Sequence, residues 1–205
     1  MSDLSRFYPI FDNSDWLERL VPLGIKMVQL RIKDKSQEYI RAEILKAQKV
    51  CEKYDCTLII NDYWQLAIEL DCKWVHLGQE DLDIANIDVI KNAGMKLGVS
   101  THDKEELQRA VQLKPDYIAL GPVYPTILKK MKWYQQGLGR VTEWKSTLGN
   151  IPLVAIGGMS VQRADGAFTA GADIVAAVTD VTLHPDPEQR IAEWIAACHQ
   201  DPKKI

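Results

Sequence analysis

The 205-residue sequence predicts a (β/α)8 barrel. Eight short apolar segments alternate with longer amphipathic ones, and apolar strands separated by helices are typical of a parallel sheet covered on both faces. No proline- or glycine-rich linker divides the chain, so eight such units favour one compact domain over residues 1–205. An open doubly wound sheet is the alternative, but it usually has fewer strands, and no Gly-x-Gly-x-x-Gly opens the first turn.

The first half of the chain contains four predicted strands. They are residues 7–11 (FYPIF), 25–31 (IKMVQLR), 56–61 (CTLIIN) and 73–77 (KWVHL). The stretch SDWLERLVPLG predicts a helix that ends at a glycine, and residues 36–54 predict a longer helix with Ser36 as its N-cap. YWQLAIEL predicts the third helix of this half.

The second half repeats the alternation. Its predicted strands are residues 95–100 (MKLGVS), 116–121 (DYIALG), 151–158 (IPLVAIGG) and 172–179 (ADIVAAVT). The stretches DKEELQRAVQL, SVQRADGAFTAG and DPEQRIAEWIAAC predict helices, the last of which closes the chain.

Composition excludes several functional classes. The chain is 46% hydrophobic and 26% charged with a net charge of −3, which is ordinary globular composition and does not favour nucleic-acid binding. No run of 18 apolar residues predicts a membrane span, and the N-terminal segment lacks the pattern of a secretory signal. The four cysteines show no metal-site spacing, so we expect reduced thiols in a cytoplasmic protein.

Basic residues follow several predicted strands, at the end of a barrel where active sites lie. Arg31, Lys33 and Lys129 are candidates for binding phosphates, because arginine offers a planar fork and lysine a point charge. Each of them alone also fits a solvated cation at the rim.

Two aspartates follow neighbouring strands. Asp62 and Asp81 are hard oxygen donors, and two carboxylates completed by substrate phosphates and waters match the usual arrangement around Mg²⁺. The alternative for Asp62 is that it only caps the helix that follows it.

The segments after the last two strands also suggest phosphate binding. Backbone N–H groups at this position of a barrel commonly hold phosphate, and glycine permits close approach at Gly157–Gly158. The alternative is a tight turn. His76 lies inside an apolar run and is predicted to be a hydrogen-bonded histidine of the barrel interior.

Several motifs together resemble those of the thiamine phosphate synthase family. They are VQLRIKDK, INDYWQLAIEL, VHLGQEDL, LGVSTHD, YIALGPVYPT, VAIGGM and GADIVAAVT, in the order that the family has them, between residues 28 and 179. The resemblance implies a (β/α)8 enzyme that condenses 4-amino-5-hydroxymethyl-2-methylpyrimidine diphosphate with a thiazole phosphate and releases pyrophosphate. No nucleic-acid or membrane partner is implied.

The resemblance also implies a role for each matching residue. The residues that would contact the pyrimidine diphosphate are Gln29, Leu30, Arg31, Ile32, Lys33, Asn61, Ser100 and Lys129, of which Arg31, Lys33, Ser100 and Lys129 would assist catalysis. Mg²⁺ would be held by Asp62 and Asp81. The thiazole phosphate would contact Thr126, Ile127, Leu128, Gly158, Val178 and Thr179.

The family mechanism is dissociative: diphosphate leaves, and the thiazole nitrogen captures the pyrimidine methylene cation. The sequence departs from the family at Leu128, where a hydroxyl is common, and at Thr179, where serine is frequent. Two alternatives remain, a paralogue that isomerises a thiazole phosphate without coupling it and a non-catalytic binder of thiamine precursors.

Overall fold

The computed structural model of the protein describes residues 4–126 and 134–199. Eight parallel strands close into a barrel in the order of the chain, with β8 pairing with β1, so the predicted (β/α)8 fold is confirmed. The strands are β1 (Phe7–Phe11), β2 (Met27–Leu30), β3 (Thr57–Asn61), β4 (Trp74–Leu77), β5 (Lys96–Thr101), β6 (Tyr117–Leu120), β7 (Leu153–Ala155) and β8 (Ile174–Ala177).

Ten α-helices lie between or after the strands in the described part of the chain. They are α1 (Ser14–Leu20), α2 (Gln37–Lys53), α3 (Trp64–Glu69), α4 (Gln79–Leu82), α5 (Ile87–Asn92), α6 (Lys104–Gln112), α7 (Gly137–Leu148), α8 (Val161–Thr169), α9 (Thr179–Thr182) and α10 (Pro187–His199). Ser36 caps α2 as predicted, since its hydroxyl accepts from the Tyr39 N–H.

Four helices were absent from the sequence prediction: α4, α5, α7 and α9. The last two predicted strands are also shorter than expected. β7 ends at Ala155 because Gly157 and Gly158 adopt positive φ angles of 92° and 62°, which no strand contains. β8 ends at Ala177, and the chain turns at Val178 into α9.

The apolar core has two layers. The larger lies between the barrel and its helices and includes the fully buried Trp144 and Trp194. The smaller fills the barrel itself and contains Tyr8, Met27 and Tyr117 among its fully buried members. The barrel is therefore a packed core, and a substrate can reach only its open end.

Two buried charged side chains, Glu43 and Arg190, hold neighbouring helices together. The Glu43 carboxylate on α2 accepts a hydrogen bond from the Ser14 N–H at 2.6 Å and forms an ion pair with Lys46. The first bond gives a partner to an N–H group at the start of α1 that has none within the helix. Burial opposes the ionised form of Glu43, but these partners outweigh it and lower its pKa. Arg190 on α10 donates to both oxygens of Asp180 on α9 at 2.8 Å.

All four cysteines are buried and unpaired, as expected. Within residues 4–126 and 134–199, no helix has the length and apolar character needed to cross a membrane.

Candidate active site

The predicted site residues gather at one end of the barrel because parallel strands share one direction. Arg31 follows β2, Asp62 follows β3, and Asp81 follows β4, all on the C-terminal side of their strands. Ser100 is the next-to-last residue of β5, and Gly158 follows β7. The structure thus places residues from distant parts of the sequence around one mouth.

Asp62 is held in an unusual backbone conformation. Its φ is +65°, a left-handed value that is uncommon for a residue with a side chain. Its carboxylate forms an ion pair with Lys33 and is only 13% exposed. The N-cap of α3 is Tyr63, and no side chain caps this helix, so the reading of Asp62 as a helix cap is wrong.

Asp81 lies on α4 and faces Asp62. One of its carboxylate oxygens accepts the Gly78 N–H at 3.1 Å, and the two aspartate side chains are within hydrogen-bonding reach of one another. Burial, followed by the negative charge of Asp62, raises the pKa of Asp81. Two partly buried carboxylates in contact repel each other unless a cation or a proton lies between them.

The pair fits a divalent cation that takes the rest of its ligands from elsewhere. Among the described residues, no group of three or more histidine, cysteine, aspartate and glutamate side chains is arranged to hold a metal. Two carboxylates are nonetheless the common protein contribution to a Mg²⁺ site in which phosphates and waters supply the other oxygens. The ammonium of Lys33 pairs with the Asp62 carboxylate and so brings a positive charge to the same pair of aspartates.

A hydrogen-bonded network crosses the barrel just below this mouth. The Gln29 amide nitrogen donates to the Tyr8 hydroxyl at 2.7 Å, and Tyr8 and Tyr117 share a hydroxyl–hydroxyl bond of 2.8 Å. His76 Nδ1 lies 2.8 Å from the Tyr117 hydroxyl, and His76 Nε2 lies 2.8 Å from Ser100 Oγ.

The network confirms the prediction that His76 is a hydrogen-bonded histidine of the barrel interior. The side chain is 6% exposed and both ring nitrogens have partners. Burial lowers its pKa to about 4, so the ring is neutral at neutral pH. Tyr8 and Tyr117 were not predicted as polar members of the site, because tyrosine within an apolar strand looks like any core aromatic.

The residues around Arg31 divide by exposure. Arg31 and Lys33 are exposed at the rim, whereas the side chains of Leu30 and Ile32 are buried in the core between barrel and helices. Any contact of Leu30 or Ile32 with a ligand must therefore use their backbone. Asn61 is 5% exposed at the end of β3.

The opposite side of the mouth is built from the loop after β6 and the turn after β7. Val123 and Tyr124 donate their N–H groups to the carbonyls of Ile156 and Gly157 at 2.9 and 3.0 Å. A side chain at Gly158 would overlap the Pro125 carbonyl oxygen, so only glycine permits this approach. Thr126 is half-buried in the same loop.

Val178 and Thr179 complete this side. Val178 is the N-cap of α9 and Thr179 its first residue, and the first N–H groups of a helix have no intrahelical partner. Asp180 ties α9 to α10, because its carboxylate accepts hydrogen bonds from Arg190 and from the Trp194 indole at 2.8 Å. The predicted residues Ile127, Leu128 and Lys129 lie outside the described residues.

The chain is similar to known proteins over most of its length. The model of the thiamine monophosphate synthase family matches residues 8–181. A protein of Rhizobium etli named thiamine-phosphate synthase is 55% identical over 194 residues, covering 95% of each chain. A protein of the same name from Pectobacterium atrosepticum is 45% identical over 186 residues, covering 90% of this chain and 87% of its own.

Solved structures match the fold. The thiamine phosphate pyrophosphorylase of Pyrococcus furiosus superimposes with a TM-score of 0.84 at 24% identity and 96% coverage of both chains. Orotidine 5′-phosphate decarboxylase of Pyrococcus horikoshii superimposes with a TM-score of 0.69 at 11% identity, covering 95% of this chain and all of its own. At these identities the likeness concerns the barrel alone.

Proposed function

Because the chain belongs to the thiamine monophosphate synthase family, we propose that it couples a pyrimidine methyl diphosphate to a thiazole phosphate, giving thiamine phosphate and pyrophosphate. The observation that carries the proposal is the contact between Asp62 and Asp81 beside Lys33 at the barrel mouth. This arrangement suits a magnesium diphosphate, whose cation contacts carboxylates while its oxygens contact ammonium groups.

In the proposed reaction the carbon–oxygen bond to diphosphate breaks, and its electron pair leaves with the diphosphate. The lone pair of the thiazole nitrogen then forms the new carbon–nitrogen bond. Arg31 and Lys33, together with Lys129, would hold the diphosphate and favour its departure by charge. Ser100 Oγ lies 2.8 Å from His76 Nε2, but the proposed reaction proceeds without a protein nucleophile, so this pair is not required to attack the substrate.

Magnesium is part of the proposal, with Asp62 and Asp81 as its protein ligands. Bound there, the ion would stabilise the negative charge that develops on the leaving diphosphate. The thiazole phosphate would lie on the opposite side, against the Thr126 loop, Gly158 and the Val178–Thr179 turn. The packed interior below the mouth would keep water from reaching the cation from beneath.

The cellular setting belongs to the same proposal. Four buried, unpaired cysteines suit the reducing environment of the cytoplasm. The net charge of −3 suits small-molecule substrates better than a nucleic acid.

The direct test is to incubate the purified chain with both precursors and Mg²⁺ and to measure thiamine phosphate and pyrophosphate. We expect equal amounts of both products, and none after chelation of divalent ions. A paralogue that only isomerises would convert thiazole phosphate without pyrimidine diphosphate. A non-catalytic binder would retain the precursors and release no pyrophosphate. Either of those results would refute the proposal.

The metal assignment has its own test. Asp62→Asn and Asp81→Asn should each lower turnover by about two orders of magnitude or more, because each removes a charged oxygen ligand. Asp83→Asn is the matched control, since Asp83 ends the same short helix but is 67% exposed and pairs with Arg109. Near-normal activity of either test variant at low Mg²⁺ would show that its carboxylate does not hold the ion.

A further inference from the structure

The buried network below the mouth has a defined direction, which follows from counting its hydrogens. The Gln29 amide nitrogen can only donate, so the Tyr8 oxygen accepts from it. Tyr8 is 1% exposed, and its own hydrogen has one acceptor among the described residues, the Tyr117 oxygen. A buried hydroxyl hydrogen without an acceptor is costly, so Tyr8 donates to Tyr117.

The same reasoning fixes the next bond. Tyr117 is fully buried, and its oxygen already accepts from Tyr8. Its hydrogen therefore goes to its other contact, Nδ1 of His76, at 2.8 Å. A neutral imidazole that accepts at Nδ1 carries its hydrogen on Nε2. His76 Nε2 therefore donates to Ser100 Oγ, which lies 2.8 Å away.

The last step concerns the Ser100 hydroxyl. Because its oxygen accepts from His76, its own hydrogen is directed away from the ring, and the described part of the chain offers it no second acceptor. Ser100 lies at the C-terminal end of β5, at the mouth. Its backbone is held there by Gln79, whose amide nitrogen donates to the Ser100 carbonyl at 2.7 Å.

We propose that Tyr117 is a positioning residue which, through His76, holds the Ser100 hydroxyl as a hydrogen-bond donor toward an anionic oxygen of the pyrimidine diphosphate. This inference rests on the proposed function, since it takes that diphosphate as the occupant of the mouth. Tyr117 itself contacts no substrate, because its hydroxyl is enclosed by Tyr8 and His76.

The barrel is built to admit Tyr117 at this place. A side chain at Gly98 on the neighbouring strand would overlap the Tyr117 ring, so the glycine leaves the space that the ring occupies. The Tyr117 ring also stacks on His76 with centroids 5.5 Å apart and planes 14° apart. The imidazole is thus fixed in orientation by a ring contact as well as by its two hydrogen bonds.

The first test needs no variant of Tyr117 and no substrate. In protein labelled with ¹⁵N-histidine, the nitrogen shifts of His76, identified by their loss in His76→Gln, report which nitrogen is protonated. We expect a neutral ring with hydrogen on Nε2. A hydrogen on Nδ1 would overturn the proposal, because the whole network would then run in the opposite direction and Ser100 would donate to His76.

The second test is a double-mutant cycle in enzyme kinetics. Loss of one hydrogen bond to a charged group predicts that Ser100→Ala raises the KM for pyrimidine diphosphate about ten- to a hundredfold. Tyr117→Phe should raise the same KM by about tenfold, with little change for thiazole phosphate. In the Ser100→Ala background Tyr117→Phe should change nothing further. Equal losses in both backgrounds would refute a role through Ser100.

Thr101→Val is the matched control for general damage. Thr101 adjoins Ser100, is fully buried, donates to the Ala119 carbonyl at 2.9 Å and accepts from the Trp144 indole at 3.0 Å. The control should lose stability and leave the KM for pyrimidine diphosphate near its wild-type value; an equal rise in KM would show that the Tyr117 effect is only structural.

A wild-type chain that makes no thiamine phosphate would refute the proposed function alone, since the His76 measurement is made without substrate.

Discussion

Replacing Gly158 with alanine tests whether the turn after β7 and the loop after β6 form one wall of the mouth. The added methyl carbon would overlap the Pro125 carbonyl oxygen and lie 2.9 Å from the Tyr124 carbonyl carbon. Both are backbone atoms, so a rotamer change cannot relieve the overlap. The positive φ of 62° adds strain of about 1–2 kcal/mol for any residue with a side chain.

Overpacking a fixed neighbour typically costs about 1–3 kcal/mol more. Gly158→Ala should therefore lower the free energy of unfolding by about 2–5 kcal/mol, measured by urea denaturation. Gly94→Ala is the matched control, since Gly94 has a φ of 74° and nothing within 4 Å of the added carbon. Gly94→Ala should lower the free energy of unfolding only by the backbone strain of a positive φ, about 1–2 kcal/mol.

Steady-state kinetics give the functional half of this prediction. If the wall binds the thiazole phosphate, Gly158→Ala should raise the KM for that substrate and leave the KM for pyrimidine diphosphate nearly unchanged. Equal stability losses at Gly158 and Gly94 would refute the packing argument. An effect confined to the pyrimidine constant would place the thiazole phosphate elsewhere.

Three further predictions concern other parts of the chain. Arg190→Met should lower the free energy of unfolding by about 3 kcal/mol, because it leaves the partly buried Asp180 carboxylate without its ion partner; Arg19→Met, at an exposed pair, should have far less effect on the same urea curve. Glu43 has a lowered pKa, so the stability lost in Glu43→Gln should be full at neutral pH and should disappear as the pH falls below the ordinary glutamate value of about 4.3, which urea curves at several pH values would show. Leu128→Thr restores a hydroxyl that the family commonly has, so it should lower the KM for thiazole phosphate, measured by varying each substrate in turn, and a shift in the pyrimidine constant would contradict the placement of this loop.

The barrel and the position of its mouth could be predicted from sequence because both follow from a repeated local pattern. Each strand is a short apolar run, and the polar residue that follows it, such as Asp62 or Asp81, marks its C-terminal end. Once the strands are known to be parallel and closed, these residues must meet. Long-range placement therefore came from topology, without knowledge of any single contact.

The details that depend on tertiary contacts could not be predicted. Tyr8 and Tyr117 form a hydroxyl pair across 109 positions of sequence, and no local pattern marks either as polar. The helix α7 begins with Gly137 and contains Gly139, which are poor helix formers, so its packing against the barrel decides its conformation. The left-handed backbone of Asp62 runs against the local preference of a residue with a side chain, and its ion pair with Lys33 joins positions 29 residues apart, so neither could be predicted from the local sequence.

The closure of β8 onto β1 has a consequence for how the site comes into being. Strands β1–β4 and the segments after them carry Asp62, Asp81 and His76, whereas β5–β8 and the segments after them carry Ser100 and Gly158. Neither half of the chain contains a complete mouth, and the two tyrosines that join the halves come from opposite ones. The substrate-binding geometry therefore exists only in the closed barrel. A chain cut between β4 and β5 would regain it only when both fragments reassociate. Catalytic activity would then report that reassembly as an all-or-none event.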